Sequence, residues 1–398
     1  MGVARLTKIA VAGIDLRPLW QTLIARLIDG TIKAGEGIDL SLIAQLLGDK
    51  PAGLAIQREI LVSHQLFRSP CAVMKPQLRV LALAAATDMG SNTPIEFLLD
   101  DSDIELMTLY VMPETELPVA LPDYDIAIVI ASDSDECRDA LRKIDRAVML
   151  WPRPLLNPPR RVCNLDRDKL HRVLDGIAGV EIPATKAVMR EQLSQLSPSA
   201  DACCDIAADL AFPVIIRPRG SHAGAGLAKL DDHDAIERYL DARPEREFFI
   251  ARFVDYSSRD GLFRKYRIVF IDGRPYACHM AIADRWDIWY LNAGMSASQS
   301  KRLEEQTFMQ TFDIAFARRH ATALNGISKR IGLDYFTVDC AEARDGSLLI
   351  FEADNAAIVH DMDPPDIFPY KAPQMQRVFG AFAAMLDRRA RQSRERAA

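Results

Sequence analysis

Strand-like and helix-like segments alternate through much of this chain, and this alternation limits its fold more than any other feature. From residue 78 the apolar runs LRVLALAAA, ELMTLYV, DIAIVIAS and AVMLW predict strands, and IEFLLDD and DECRDALRKID predict helices between them. Strands that alternate with helices form parallel sheets covered on both faces. The sequence therefore predicts an α/β fold with a parallel-sheet domain, which we assign to residues 76–160.

The first 75 residues follow a different period. The stretches DLRPLWQTLIARLIDG, DLSLIAQLLG and AGLAIQREILVSHQLF repeat apolar residues at spacings of three and four. This period predicts amphipathic helices. No chemistry is visible in this helical segment, so a remnant of helical repeats, a dimerisation surface and a docking element all remain open for it.

Length and charge restrict the class of protein. The chain has 398 residues, so several domains that share a cleft are expected. Its net charge of -6 argues against a general nucleic-acid binder. The sequence lacks an apolar run of about 18 residues, and its 7 cysteines lack metal-like spacing. We therefore expect a cytoplasmic protein with reduced thiols that binds neither nucleic acid nor membrane.

The stretch FPVIIRPRGSHAGAG combines a buried strand, two arginines and a glycine-rich loop. Arg217 and Arg219 place positive charge at the end of the strand, and a glycine-rich backbone can fold its N–H groups around an anion. The sequence thus predicts a phosphate site. Its loop residues are Gly220, Ser221, His222 and Gly224, although His222 fits a solvated loop histidine equally well.

Three carboxylates mark a predicted hairpin near the end of the chain. Asp339 lies on the strand DYFTVDCAEA, whereas Glu352 and Asp354 lie on its partner SLLIFEADNA. The two-residue period directs Glu352 and Asp354 to one face, and antiparallel pairing can bring Asp339 beside them. Converging carboxylates suit Mg²⁺ together with phosphate oxygens. The alternative is an acidic hairpin whose charges are solvated.

Five stretches in order resemble the ATP-grasp superfamily, and most closely its glutathione synthetase and ribosomal-protein glutamate ligase branches. They are LLNPPRRVCNLDRDKL, EIPAT, PVIIRPRGSHAGAG, KYRIVFIDGRPYACHMAI and DYFTVDCAEARDGSLLIFEADNA, and the resemblance covers residues 78–370. It implies that residues 76–160 form a Rossmann-like domain after the helical segment 1–75. It also implies a small lobe with the glycine loop at 161–255 and a C-terminal lobe with the metal site at 256–398.

The resemblance implies an ATP-dependent carboxylate-amine ligase. In such an enzyme a carboxylate attacks the γ phosphate of ATP, and an amine then displaces phosphate from the acyl phosphate to form an amide. Small-molecule or peptide substrates, two Mg²⁺ ions and a homodimer are implied with it. A small-molecule kinase on the same fold and a non-catalytic nucleotide-binding regulatory protein are the alternatives.

Carried onto this sequence, the family pattern assigns the nucleotide and metal sites. Arg217 stands where the family has a Lys for the α and β phosphates, with Lys186 or Arg190 on the preceding helix as a second cation. The γ phosphate is within reach of Arg219 and His222. The implied adenine contacts are Arg252, Phe253, Val254 and Leu349. The implied metal ligands are Asp339, Glu352 and either Asp354, which stands where the family has Asn, or Asn355.

The resemblance also points to residues on the substrate side. It places Arg267 at the oxygens of the acyl phosphate. Asn292 looks like a family Asn near the acceptor, and a turn-forming Asn is its alternative. A further family Arg on the HMAIA strand is aliphatic here, so Arg285 or His279 is expected to substitute for it. Together with Arg264, these residues would give a cationic face suited to a carboxylated acceptor such as an amino acid.

Overall fold

A computed structural model of the chain describes residues 1–71, 73–100, 102–118, 120–151, 153–194, 212–221 and 224–397. It contains three sheets with helices packed against them, which confirms the predicted mixed α/β fold. Among these residues no helix is both long enough and apolar enough to cross a membrane.

Four helices form the N-terminal segment: α1 (Val3–Val11), α2 (Arg17–Ile28), α3 (Ala34–Leu46) and α4 (Lys50–Ser63). The last three correspond to the predicted helices, and α1 adds a fourth. The predicted helix DLSLIAQLLG starts at Asp39, whereas the observed helix α3 begins earlier and Asp39 lies inside it. Its carboxylate instead accepts a hydrogen bond from the backbone N–H of Gly2 at 3.0 Å and pairs with the N-terminal ammonium. This pairing fixes the start of the chain on the helical segment.

The second unit is the predicted parallel sheet, with strand order β1-β3-β2-β4-β5. All neighbours are parallel except β1, which pairs antiparallel with β3 at the edge. The strands are β1 (Leu66–Arg68), β2 (Leu78–Ala85), β3 (Ile104–Val111), β4 (Ile126–Val129) and β5 (Leu155–Leu156), with helices α5 (Ile95–Leu98) and α6 (Arg138–Ala147).

The strand predicted at AVMLW is wrong. Residues Val148–Leu150 form a 3-10 turn that continues from α6, and the fifth strand comes later, at Leu155–Leu156. A short apolar run has no period that separates a strand from the end of a buried helix. The local pattern therefore favoured the wrong element.

A small antiparallel sheet follows, with order β7-β10-β8-β9. Its strands are β7 (Lys186–Met189), β8 (Val214–Pro218), β9 (Ala228–Leu230) and β10 (Glu247–Arg252). The elements around it are α7 (Pro159–Val162), α8 (Arg167–Leu174), β6 (Val180–Glu181), α9 (Arg190–Ser194) and α10 (His233–Asp241). Lys186, predicted to lie on a helix, is the first residue of β7.

The large sheet has the order β12-β11-β13-β14-β6. Its hairpins are β11 (Phe263–Ile271) with β12 (Arg274–Ala283), and β13 (Tyr335–Glu342) with β14 (Leu348–Asp354). Strand β6 adds parallel to β14, so part of the predicted small-lobe segment 161–255 belongs to the large sheet. The other domain boundaries stay predictions.

The sequence predicts one helix over residues 303–331, and this prediction is wrong, because the chain forms three helices there: α11 (Gln299–Thr311), α12 (Phe316–Arg319) and α13 (Ala321–Ile331). At the break Phe312 and Phe316 stack with ring centroids 5.6 Å apart, and both are buried. Burial of these two rings accounts for the interruption better than local propensity does. The final helix, α14 (Lys371–Ala397), packs on the same core.

Candidate functional site

One transverse row of polar side chains crosses four strands of the large sheet. His279 on β12 is opposite Arg267 on β11, Arg267 is opposite Asp339 on β13, and Asp339 is opposite Glu352 on β14. Paired residues on neighbouring strands point to the same face. Pairing therefore brings Asp339 beside Glu352, as the sequence predicts.

Asp339 lies at the bottom of this row with only 1% of its side chain exposed. Its Oδ1 accepts a hydrogen bond from Nε of Arg267 at 2.7 Å, and its Oδ2 lies 3.0 Å from Nη2 of Arg267 and 2.8 Å from Nζ of Lys265. Burial alone would raise the pKa of this carboxyl, but Arg267 and Lys265 hold it well below its usual range. Asp339 is thus a buried carboxylate neutralised by two cations.

Glu352 is paired with a cation from another part of the chain. Arg167, in the first turn of α8, forms an ion pair with Oε2 of Glu352 and donates to the carbonyl of Phe351 at 3.4 Å. Burial would raise the pKa of Glu352, and Arg167 lowers it. Arg167 therefore connects α8 to the acidic hairpin.

Arg217, at the end of β8, faces this pair from the small sheet. Burial, followed by the nearby charge of Arg167, lowers the pKa of the Arg217 guanidinium to about 10, while Glu352 raises it. The guanidinium remains charged at neutral pH. Its Nε donates to Oγ of Ser221 at 3.0 Å, and Nη2 donates to the Ser221 carbonyl. The charges of the arginine-ended strand and of the acidic hairpin thus lie close enough to influence each other.

The described part of the loop after β8 needs glycine in two predicted positions. Gly220 and Gly224 have φ angles of 71° and 75°, in the left-handed region that side chains disfavour. His222, predicted for the γ phosphate, lies outside the described residues. The phosphate role of this loop stays a prediction.

Arg219 lies at the start of the loop and contacts three carboxylates. Its guanidinium lies 3.4 Å from Asp135 of the parallel-sheet domain, 3.4 Å from Asp166 at the N-cap of α8 and 3.2 Å from Glu247 on β10. The ion pair with Asp135 joins the start of the glycine loop to the parallel-sheet domain, and the other two hold it to α8 and β10. They also occupy the side chain that the sequence assigns to the γ phosphate.

Neither candidate for the second phosphate cation lies beside Arg217. Lys186 is in register with Ile250 and Ile216, whereas Arg217 is opposite Phe249, so strand alternation places Lys186 and Arg217 on opposite faces of the small sheet. The Arg190 guanidinium donates to the carbonyls of residues 240 and 243, just at the C-terminal end of α10. The cation next to Arg217 is instead Arg167, which the sequence analysis missed.

The residues predicted around adenine lie together in part. Val254 and Leu349 pack in one apolar cluster with Phe351, and the Phe253 ring contacts Trp286 at 5.6 Å. The backbone N–H of Phe253 already donates to the carbonyl of Pro213 at 2.8 Å. Arg252 pairs with Glu181. The segment after β10 therefore offers an apolar surface. The backbone N–H of Phe253 is already occupied by a hydrogen bond within the protein.

The substrate-side candidates separate into two groups. His279 lies in the transverse row beside Arg267, and burial, followed by the charge of Arg267, lowers its pKa well below its usual value, so the ring is neutral at pH 7. Arg285 is half-exposed and pairs with Asp287. The Asn292 side chain accepts from the N–H of Trp289 and donates to the carbonyl of Asp287, both at 3.0 Å. Asn292 thus caps a local turn, the alternative noted for it from sequence.

Arg264 does not share the face of Arg267. It is three residues earlier on β11, pairs with Asp260 and Glu304, and lines a cavity with Tyr266 on the other side of the strand. The cationic face expected from sequence therefore lacks Arg264. Lys265 takes its place, since it is two residues from Arg267 and contacts the same carboxylate.

The remaining predicted metal ligands, Asp354 and Asn355, also form hydrogen bonds within the protein. Oδ1 of Asp354 accepts from the N–H of Ala356 at 2.7 Å, and burial raises the pKa of this carboxyl. Asn355 is fully buried and its Nδ2 donates to the carbonyl of Ala131 at 2.9 Å. This hydrogen bond thus connects the end of β14 to the parallel-sheet domain.

The donor set does not fit a preformed Mg²⁺ site. Both oxygens of Asp339 and one of Glu352 contact protein cations, and the described residues include no group of three or more His, Cys, Asp or Glu side chains able to hold a metal. Mg²⁺ takes oxygen ligands whose negative charge is uncompensated. Oδ1 of Asn355, a buried oxygen with no partner among the described residues, is the single feature in favour of a metal. Of the residues predicted as metal ligands, Asp339 and Glu352 are thus held in ion pairs, whereas Asp354 and Asn355 form hydrogen bonds with backbone groups.

Solved structures of similar chain path are ATP-grasp proteins and ligases. The RimK domain protein ATP-grasp from Sphaerobacter thermophilus is 17% identical, with a TM-score of 0.45 over 77% of this chain and 99% of that chain. D-alanine-D-alanine ligase from Bacillus anthracis complexed with ATP is 13% identical, with a TM-score of 0.46 over 80% of this chain and 99% of that chain. VanG D-Ala:D-Ser ligase from Enterococcus faecalis is 12% identical, with a TM-score of 0.46 over 78% of this chain and 100% of that chain.

No protein-family model matches the chain, and no curated protein matches its sequence. Likenesses of this size leave the reaction to the residues of the site.

Proposed function

We propose that this chain is an ATP-dependent carboxylate-amine ligase that forms an amide or peptide bond through an acyl phosphate. The observation that supports this most is the proximity of two arginines, Arg217 and Arg167, to Glu352 in the transverse row. Cations gathered from the small sheet, from α8 and from the large sheet suit a triphosphate and the phosphoryl group transferred from it.

In the proposed reaction, an oxygen of the substrate carboxylate attacks the γ phosphorus, and the bond to the β,γ-bridging oxygen breaks to release ADP. The amine then attacks the acyl carbon, the carbon-oxygen bond to phosphate breaks, and the amine loses a proton. Arg217 and Arg167 would hold the phosphates. Arg267 and Lys265 would face the oxygens of the transferred phosphoryl group, where positioned charge lowers the barrier most.

Neutral His279 is the group we assign to the amine. It lies next to Arg267 in the transverse row, and its Nδ1 is buried without a partner among the described residues. Because the burial and charge that keep the ring neutral also make it a weak proton acceptor, His279 would orient the amine by a hydrogen bond and leave the amine's proton to solvent. Arg285 and Asn292 would lie further toward the acceptor, where their present contacts are local ones.

The ion pairing of the acidic residues favours one alternative, a nucleotide-binding regulatory protein without turnover, because carboxylates held by protein cations are not free for catalysis. The test is incubation of the protein with ATP, MgCl₂ and pools of amino acids and short peptides. Release of ADP and phosphate that depends on an amine, with a new amide detected by mass spectrometry, supports the ligase. ADP without free phosphate would indicate a kinase, and no release from any pool would contradict catalysis.

A further inference from the structure

Four cationic side chains surround the acidic residues of the site. Lys265 and Arg267 contact Asp339, Arg167 contacts Glu352, and Arg217 lies close to both Arg167 and Glu352. With Asp354 they make a cluster of four cations and three carboxylates, a net charge of +1 when all seven groups are ionised. A cluster of this sign attracts an anion without an added metal ion.

The cations are also more exposed than the carboxylate they neutralise. The side chains of Lys265 and Arg267 are 18% and 20% exposed, whereas Asp339 is 1% exposed. A phosphate that approaches this row from solvent would therefore contact an ammonium and a guanidinium before it could contact Asp339. Both groups donate charge-assisted hydrogen bonds to phosphate oxygens.

A divalent cation, unlike a phosphate, would be repelled by the side chains that it contacts first. To reach Asp339 it would have to displace Lys265 and Arg267, whose three contacts of 2.7 to 3.0 Å occupy both carboxylate oxygens. It would also bring two further positive charges to a cluster that is already positive. Lys265 and Arg267 thus occupy the positions beside Asp339 where a metal ion would otherwise neutralise a phosphoryl group.

We propose that Lys265 and Arg267, with Arg167 and Arg217, substitute for a divalent cation in binding a nucleoside triphosphate, so that this chain binds the triphosphate in the absence of metal. The proposal rests on the proposed function to the extent that the ligand is ATP. It differs from that function in assigning the neutralisation of the phosphate to protein side chains.

The experiment is calorimetric titration of the full chain with AMP-PNP, a non-hydrolysable ATP analogue, in buffer with EDTA and in buffer with MgCl₂. The expected dissociation constant in EDTA lies within about threefold of the value in MgCl₂. The Lys265→Gln variant should weaken binding in EDTA by about tenfold or more, the scale of one lost charge-assisted contact. Lys265→Arg, which keeps the charge, should retain binding.

Two further variants separate a binding effect from a folding effect. Arg217→Gln removes a cation whose side-chain hydrogen bonds, among the described residues, go to Ser221 in the loop after β8, so it should weaken binding in EDTA without lowering the unfolding temperature. Lys329→Gln removes the same charge as Lys265→Gln from an exposed position on α13 and should leave binding unchanged.

The outcomes distinguish the two proposals. Binding in MgCl₂ that is lost in EDTA would overturn metal-free binding and leave the ATP site in place. No binding in either buffer would overturn both. Binding in EDTA that Lys265→Gln and Arg217→Gln leave unchanged would overturn the assignment to these side chains.

Discussion

Removal of Arg267 tests the physical basis of the site most directly. Arg267→Met leaves Asp339, 1% exposed, with Lys265 as its remaining cation at 2.8 Å. Loss of one partner of a buried ion pair costs about 3–5 kcal/mol. Because Lys265 remains, we expect the lower end of this range, a loss of about 3 kcal/mol in the free energy of unfolding. For a domain of about 150–250 residues, this loss corresponds to a fall of roughly 6–12 °C in the unfolding temperature.

This loss should depend on pH. Arg267 and Lys265 keep the pKa of Asp339 in the folded state below the unfolded value of about 4. The carboxylate therefore stabilises the fold fully above that value, and the stabilisation is lost as the pH falls below it through the folded pKa. Without Arg267 the folded pKa moves upward, so the difference between the two proteins should be largest at neutral pH and should narrow as the pH falls below about 4.

The assay is thermal unfolding by calorimetry from pH 7 down to about pH 3, below the unfolded pKa of an aspartate, with Arg274→Gln as the control. Arg274 is on the neighbouring strand, is 60% exposed and pairs with Asp313 at 3.4 Å, so its loss should change stability by less than about 0.5 kcal/mol. In a double-mutant cycle, Arg267→Met and Asp339→Asn should couple by at least about 2 kcal/mol. A loss below about 1 kcal/mol at pH 7, or a coupling near zero, would refute the reasoning.

Three other substitutions probe the surroundings of the site. Glu352→Gln should lower turnover with an unchanged circular dichroism spectrum, because it removes the carboxylate that holds Arg167 in place, and undiminished turnover would show that this ion pair does not position Arg167. Arg219→Gln should speed amide hydrogen exchange in residues 214–217, since it breaks the ion pairs that hold the start of the glycine loop to Asp135, Asp166 and Glu247, and unchanged exchange would show that these pairs do not restrain the strand. Asn355→Ala should lower the free energy of unfolding by about 1–2 kcal/mol, because it leaves the buried carbonyl of Ala131 unpaired, and a change below about 0.5 kcal/mol would contradict that role.

Much of the fold was predictable because its signals are local. The parallel strands, three of the N-terminal helices, both hairpins of the large sheet and the strand that ends at Arg217 appear as apolar periods in short windows. The elements predicted incorrectly are those whose apolar pattern fits more than one kind of secondary structure within a short window. The apolar run after α6 suits a strand or a turn equally well, and the break between α11 and α12 is accounted for by the packing of Phe312 and Phe316.

The candidate site divides in the same way. The two-residue period of β14 was enough to place Glu352 and Asp354 on one face, and hairpin pairing was enough to bring Asp339 to them. The same two-residue period on β11 places Lys265 on the face of Arg267, so the sequence alone was enough to predict Lys265 as a site residue. Arg167 offered a weaker signal, its place in the first turn of α8 directly after the N-cap Asp166.

What the sequence by itself determined is the inventory of the site: an arginine-ended strand, a glycine loop and an acidic hairpin, each formed within about 20 residues of chain. Only the tertiary structure decided which charges meet. Arg267 contacts Asp339 across 72 residues of sequence, and Arg167 contacts Glu352 across 185. Strand order and domain packing create these pairs, and no local period encodes them. Because the charge on a buried carboxylate depends on the cation beside it, the change from a predicted metal site to a cluster of ion pairs became visible only in the folded chain.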